Sequence, residues 1–305
     1  MENVFTEKDL LFFDENGYVI LRQAVSPSHV AAAVRAIYDF LEIPSSPDDS
    51  WYTGYVASHG ANVELYQHQA LWDNRQHPRV HAAFAQLWET PELIVSIDRA
   101  GFKPPLNENY PGRSKMGFLH LDASTDELPI PFRLQGVLAL VDTEANQGGF
   151  HCLPGWHKRT EDWVKLLNGR KKIEGEEMNQ LPLKPVETAA GDLIIWHVAL
   201  PHGNGWNLSQ QPRISQYINM FPARWPSSRA AQLDPSDQQS RWERERELRI
   251  KAWREHSGPI RREPPFPGDE RNWEIEHGRT AVLSPLGRRL LGLDSWEGEA
   301  ASATD

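Results

Sequence analysis

A single cysteine, Cys152, among 305 residues excludes an internal disulfide and leaves too few thiolates for a structural zinc ribbon or an iron–sulfur cluster. Any metal must then be held by nitrogen and oxygen. Positive charge is also short: 32 Lys and Arg stand against 42 Asp and Glu, for a formal net charge of −10. Such a field repels phosphate backbones and anionic lipid surfaces, so no nucleic acid and no membrane is expected as a partner. No apolar run approaches the roughly 18 residues of a membrane span. The first eight residues have no basic stretch leading into an apolar one, and a cytoplasmic location is the expectation. What the chain does have is a globular composition, 39% hydrophobic and 24% charged, which supports a real core. It is also rich in His and Trp, with twelve of each, and the histidines supply nitrogen ligands.

Thr6 with Asp9 three residues on predicts a helix N-terminus, and Gly17 a stop. Residues 18–21 read as a strand. Ser26-Pro27 opens a second helix over 28–41, with Val30, Val34, Ile37 and Leu41 along one side. The pattern then changes. Short β-type runs at 94–103, 117–122, 135–141, 149–153, 192–198 and 213–221 are separated by Gly, Pro, Asn and Asp. With few helical segments between them, they predict a sandwich or barrel rather than βαβ units. Residues 163–179 interrupt as a helix or charged excursion. The run 239–247 alternates acid and base in the manner of a solvated helix, and residues 263–267 and 300–305 read as a Pro-rich tail and a frayed terminus.

His120 and Asp122 lie two apart on a predicted strand, which places both side chains on one face. His202 comes much later, at a strand end on a Gly-rich turn. Two imidazoles and a carboxylate brought together leave three positions of an octahedral ion open, as suits ferrous iron that must bind a co-substrate and oxygen. Eleven residues after His202, Arg213 begins a strand with Ser215, Tyr217 and Asn219 on its own face and Ile214, Ile218 and Met220 on the other. In a surface strand the polar face looks at water. In a barrel it looks inward at a ligand, where a guanidinium fork takes a carboxylate and the hydroxyls complete the contact. The pattern admits both.

These elements, with Asn146-Gln147-Gly148-Gly149-Phe150-His151-Cys152-Leu153-Pro154-Gly155-Trp156-His157, Gly191-Asp192-Leu193 and His202-Gly203-Asn204, resemble the phytanoyl-CoA dioxygenase family of Fe(II)/2-oxoglutarate-dependent oxygenases over about residues 5–225. The resemblance implies a mainly β fold with flanking helices, a double-stranded β-helix (jelly roll, cupin-like). A single catalytic domain, 1–305, is expected: 1–93 supplies N-terminal helices and, by the resemblance, a lid, 94–225 the jelly-roll core, and 226–305, read from its composition, a helical and extended tail. By the same resemblance His120, Asp122 and His202 are the catalytic metal ligands, holding Fe(II), and Arg213 with Ser215 binds the distal carboxylate of 2-oxoglutarate, with O2 as co-substrate. Such a dioxygenase hydroxylates or otherwise oxidises an unactivated C–H of a small-molecule metabolite, with succinate and CO2 as co-products. Retention of Asp122, which related halogenases lose, favours oxidation over halogenation. A cupin-like metal-dependent isomerase or hydrolase that does not use 2-oxoglutarate is the alternative.

Substrate contacts are expected from Arg99 and Lys103, which alternate with apolar residues before His120, and from Trp51, Trp72 and Trp206 around the pocket mouth. The duller readings are a salt bridge for the first two and core packing for the aromatic segment 51–90. His157 and His197 are read as structural. The expected partner is a small-molecule substrate, with the chain a monomer or homodimer.

Overall fold

The capping box at Thr6 forms as its sequence dictates: Thr6 Oγ1 accepts from the Asp9 N–H and Asp9 Oδ2 accepts from the Thr6 N–H, starting the helix Glu7–Asn16. Gly17, at φ +81°, ends it in the left-handed region that glycine tolerates, and the chain turns directly into the strand Tyr18–Leu21. Ser26 caps the next helix, Pro27–Leu41, which buries Val30, Ile37 and Leu41. This description rests on a computed structural model and covers residues 3–110, 117–125, 128–223, 235–258 and 269–296.

Two facing sheets carry the middle of the chain. The larger has six antiparallel strands in the order Tyr18–Leu21, Leu193–His197, Leu134–Ala139, Arg213–Tyr217, Ala100–Lys103, Asn62–Val63. The smaller has five, in the order Lys172–Ile173, Leu119–His120, His202–Asn204, Phe150–Cys152, Lys184–Pro185. Tyr18, Val137, Phe150, Cys152, Ile194 and Trp196 pack between them. The opposite face of the larger sheet, with Val19, Leu138, Ile195 and Ile214, packs on helical residues such as Ile37, Phe40, Leu71 and Phe84. This is the jelly-roll arrangement expected, with most flanking helices on the larger sheet, while Trp163, Leu167 and Met178 pack against Leu119 and Ile173 of the smaller one.

Several predicted elements are shorter or divided. The run at 94–103 is two strands, Leu93–Val95 and Ala100–Lys103, and that at 213–221 is Arg213–Tyr217 and Met220–Pro222. The outer pieces pair with each other in a separate ribbon. The excursion at 163–179 contains two helices, Thr160–Leu167 and Glu176–Asn179, with the strand Lys172–Ile173 between them. The charged run 239–247 lies within the helix Pro235–Arg254. The Pro-rich residues 263–267 and the end, 300–305, lie outside the described residues. No helix among the described residues is long and apolar enough to cross a membrane.

The helix-side core takes in residues from both ends of the chain, including Phe5, Phe13, Leu290 and Leu291. Near the C-terminal end Glu274, on the helix Trp273–His277, accepts from the backbone N–H groups of Tyr66 and Gln67 at 2.6 and 2.7 Å. Burial pushes this carboxyl up to about 7, against the pull of those two N–H groups and of buried Arg75.

Candidate metal centre

The smaller sheet brings the two histidines together. His202 and His120 face each other across adjacent antiparallel strands, with ring centres 4.6 Å apart. Close approach here requires glycine: a Cβ on Gly203 would lie 2.1 Å from the carbonyl oxygen of Phe118. Asp122 follows two residues after His120. Its Oδ1 is 3.2 Å from His120 Nε2 and its Oδ2 is 3.6 Å from His202 Nε2. One ligand atom from each of the three lies within 4.8 Å of the others.

Nδ1 of His202 lies 2.9 Å from the Leu200 carbonyl oxygen, which accepts its proton and leaves Nε2 turned toward Asp122. Burial alone would raise the Asp122 carboxyl, but hydrogen bonds from His120 and His202 and their charge hold it well below the usual carboxylate range. Lone pairs converging this closely repel unless a proton or cation sits among them. Cis ligands of an octahedral ion with bonds of about 2.1 Å stand roughly 3 Å apart. The spacings and the donor set therefore fit ferrous iron.

A residue that the sequence did not single out joins them. Nε2 of Gln135 donates to Asp122 Oδ2 at 2.7 Å. A glutamine in a strand carries no metal-ligand signal, and this one reaches Asp122 only through the folding of the intervening segment.

The facing wall comes from the larger sheet. Arg213 and Ser215 are both buried and point between the sheets, not at water. They line a narrow cleft with Val137, Ala139, Phe150 and Ile194. Phe150 stacks on the His202 ring at 5.6 Å, so the cleft reaches the histidine side. Ser215 Oγ is buried and makes no hydrogen bond among the described residues. Lys103 pairs in register with Arg213, is itself buried, and donates from Nζ to the Gly205 carbonyl oxygen at 2.6 Å. Burial, helped by the charge of Arg213, pulls its pKa down to about 7. Two neighbouring buried cations are costly without a counter-charge.

The remaining expected contacts divide. Arg99 lies on the inner face, over the Tyr217 ring at 4.9 Å, but is engaged by Asn62 and by a salt bridge to Asp98. Trp206 is half-buried in the loop beside Gly205. Trp51 and Trp72 are not at a pocket mouth: at 1% and 0% exposure both belong to the helix-side core, where Trp51 packs edge-on against Phe102. Aromatic density in 51–90 reflects packing, because large rings gain most by leaving water. His157 and His197 stay outside the cluster. His157 Nε2 bonds the Asp14 carbonyl oxygen, and His197 Nδ1 accepts from the Ala199 N–H.

A jelly roll enclosing two imidazoles and a carboxylate, with a buried guanidinium and hydroxyl across the cleft, defines the class of 2-oxoglutarate-dependent non-haem iron enzymes. Within it the chain belongs to the phytanoyl-CoA dioxygenase (PhyH) family, matched over residues 13–215. A Dictyostelium discoideum protein named for phytanoyl-CoA dioxygenase is 24% identical over 259 residues, covering 69% of this chain and 74% of that protein. Among solved structures, HygX from Streptomyces hygroscopicus, with nickel and 2-oxoglutarate bound, aligns with a TM-score of 0.56 at 14% identity over 72% of this chain and 88% of its own. The Escherichia coli protein JW0805 aligns with a TM-score of 0.64 at 17% identity over 94% of this chain and 82% of its own.

Proposed function

We propose that the protein is an Fe(II)/2-oxoglutarate-dependent dioxygenase that oxidises an unactivated C–H of a small-molecule metabolite. The observation that carries this reading is the cleft wall: Arg213 and Ser215, buried and facing the side of the metal cluster, with Lys103 beside them. A small dianion answers that wall, and the alternative of a metal-dependent isomerase or hydrolase leaves it without a use. In this reading His120 Nε2, Asp122 and His202 Nε2 hold iron. The guanidinium of Arg213 takes the distal carboxylate of 2-oxoglutarate in bidentate fashion, Ser215 donates its unpartnered hydroxyl to it, and Lys103 supplies the second positive charge. When bound, iron with 2-oxoglutarate and O2 would supply the oxidant for the C–H bond, one oxygen atom entering succinate as CO2 leaves and the other going to the oxidised substrate or to water.

The chain's own part is orientation and exclusion of water. Leu200 fixes the His202 tautomer, and Val137, Ile194 and Phe150 keep the cleft apolar around the charged groups. Arg99 and Tyr217 lie on the inner face of the larger sheet, where a substrate could meet it. The core shared by Phe5 and Leu291 supports reading residues 1–305 as one catalytic unit.

The test is 2-oxoglutarate turnover, followed as succinate formation across a metabolite library. The wild type should form succinate with Fe(II), faster when a substrate is present. Asp122→Ala should form none above the protein-free rate. Equal succinate formation by the two proteins would contradict the reading.

A further inference from the structure

Gln135 has one side-chain hydrogen bond among the described residues, and it goes to the carboxylate of the metal cluster. Its strand, Leu134–Ala139, sits in the larger sheet, where Gln135 pairs with Trp196, a residue of the inter-sheet layer whose ring lies 5.0 Å from that of His202. The side chain therefore starts from the wall opposite the histidines and crosses to Asp122. The amide can be oriented only one way. An ionised carboxylate is acceptor-only, so the NH2 end must face it. The other end, Oε1, is buried and has no hydrogen-bond donor among the described residues. Leaving a buried carbonyl oxygen unsatisfied is unfavourable, so the amide sits this way for the sake of Asp122 and not to complete a network of its own.

We propose that Gln135 is a positioning residue for the metal centre: by holding Asp122 Oδ2 it fixes the orientation of the carboxylate and limits it to one ligand oxygen. The inference rests on the iron-binding reading above. Its consequence is a count of coordination positions. Two imidazoles and one carboxylate oxygen leave three of six positions, enough for the two oxygens of a chelating 2-oxoacid and for O2. A carboxylate free to bind through both oxygens would take a fourth and leave one position too few. Outer partners of this kind typically govern metal affinity by about 10–100-fold.

The experiment compares wild type with Gln135→Met, which keeps the length of the side chain and removes the donor. Mn(II) binding is followed by electron paramagnetic resonance, and the visible band of anaerobic Fe(II) plus 2-oxoglutarate is recorded for both. Gln135→Met should bind Mn(II) about 10–100-fold more weakly and show a shifted or lost band, while metal-free protein melts at the wild-type temperature. Mn(II) affinity within about twofold of wild type, against that 10–100-fold expectation, together with an unchanged band, would overturn the role of Gln135 and leave the iron-binding reading standing. A wild type that binds neither Mn(II) nor 2-oxoglutarate would overturn both. If the Met variant does not fold, Gln135→Leu, which also removes the donor and adds no ligand, carries the same Mn(II) and band comparison.

Discussion

Lys103 is where residue chemistry and function meet most closely. Its ammonium is buried beside the Arg213 guanidinium and held to about 7 instead of the 10.5 of an exposed lysine. The sign of the effect follows. A cation whose folded pKa is depressed is unfavourable to the fold below about pH 7, and stability rises as pH climbs from there toward the unfolded value. An anion beside it acts in the opposite sense, favouring the protonated form. Binding of 2-oxoglutarate to metal-loaded enzyme should therefore weaken above pH 7, by at most about tenfold per unit, and calorimetry from pH 6.5 to 8.5 would measure it. Lys103→Met should bind more weakly at pH 6.5 and lose the dependence. His151 and His197, both held near 4 chiefly by burial, stay neutral across that window and do not confuse the result. The same scale shows what sequence could reveal. The clustering of His120, Asp122 and His202 was legible from strand spacing taken together with the family resemblance, and the inward polar face that begins at Arg213 was one of two readings its alternation allowed. The place of Trp51 and Trp72 was not legible, since an aromatic ring serves core and pocket equally well. Gln135 was invisible because its meaning lies in a contact and not in a motif.

Elements with strong local signals match their sequence. The helix Glu7–Asn16 carries a capping box and a glycine stop, and the helix Pro27–Leu41 a serine cap and an apolar stripe. The strands Asn62–Val63, Lys172–Ile173 and Lys184–Pro185 are two residues long, too short for any periodicity to register, and exist because a neighbouring strand offers them partners. The split at 218–219 was likewise hidden, since alternation continues across it while the partner strand changes. The helix Trp273–His277 is held by tertiary contact: Glu274 reaches back to the backbone of Tyr66 and Gln67, which follow the sheet-edge strand Asn62–Val63. Glu274→Ala would leave two buried N–H groups without an acceptor and should cost about 3 kcal/mol. Urea denaturation at pH 7, followed by tryptophan fluorescence, would show it, and a loss below about 0.5 kcal/mol would mean that the clip contributes no more than an ordinary surface contact.

At the scale of the whole molecule, the two sheets do different work. The smaller places His120 and His202 opposite each other by strand pairing, and the larger presents Arg213, Ser215 and Lys103 from the facing wall. Neither sheet holds a complete site, so the chemistry depends on their packing across the shared apolar layer. The fold class was legible from strand spacing and from the family resemblance. The assignment of each strand to one sheet or the other was not, because it is set by which strands pair and not by where strands occur. Metal and 2-oxoacid meeting in this cleft would show in the anaerobic visible spectrum of the protein with Fe(II) and 2-oxoglutarate. A weak charge-transfer band that needs both additions and is absent in Asp122→Ala is expected. Folded wild-type protein showing no such band at saturating Fe(II) and 2-oxoglutarate would contradict it.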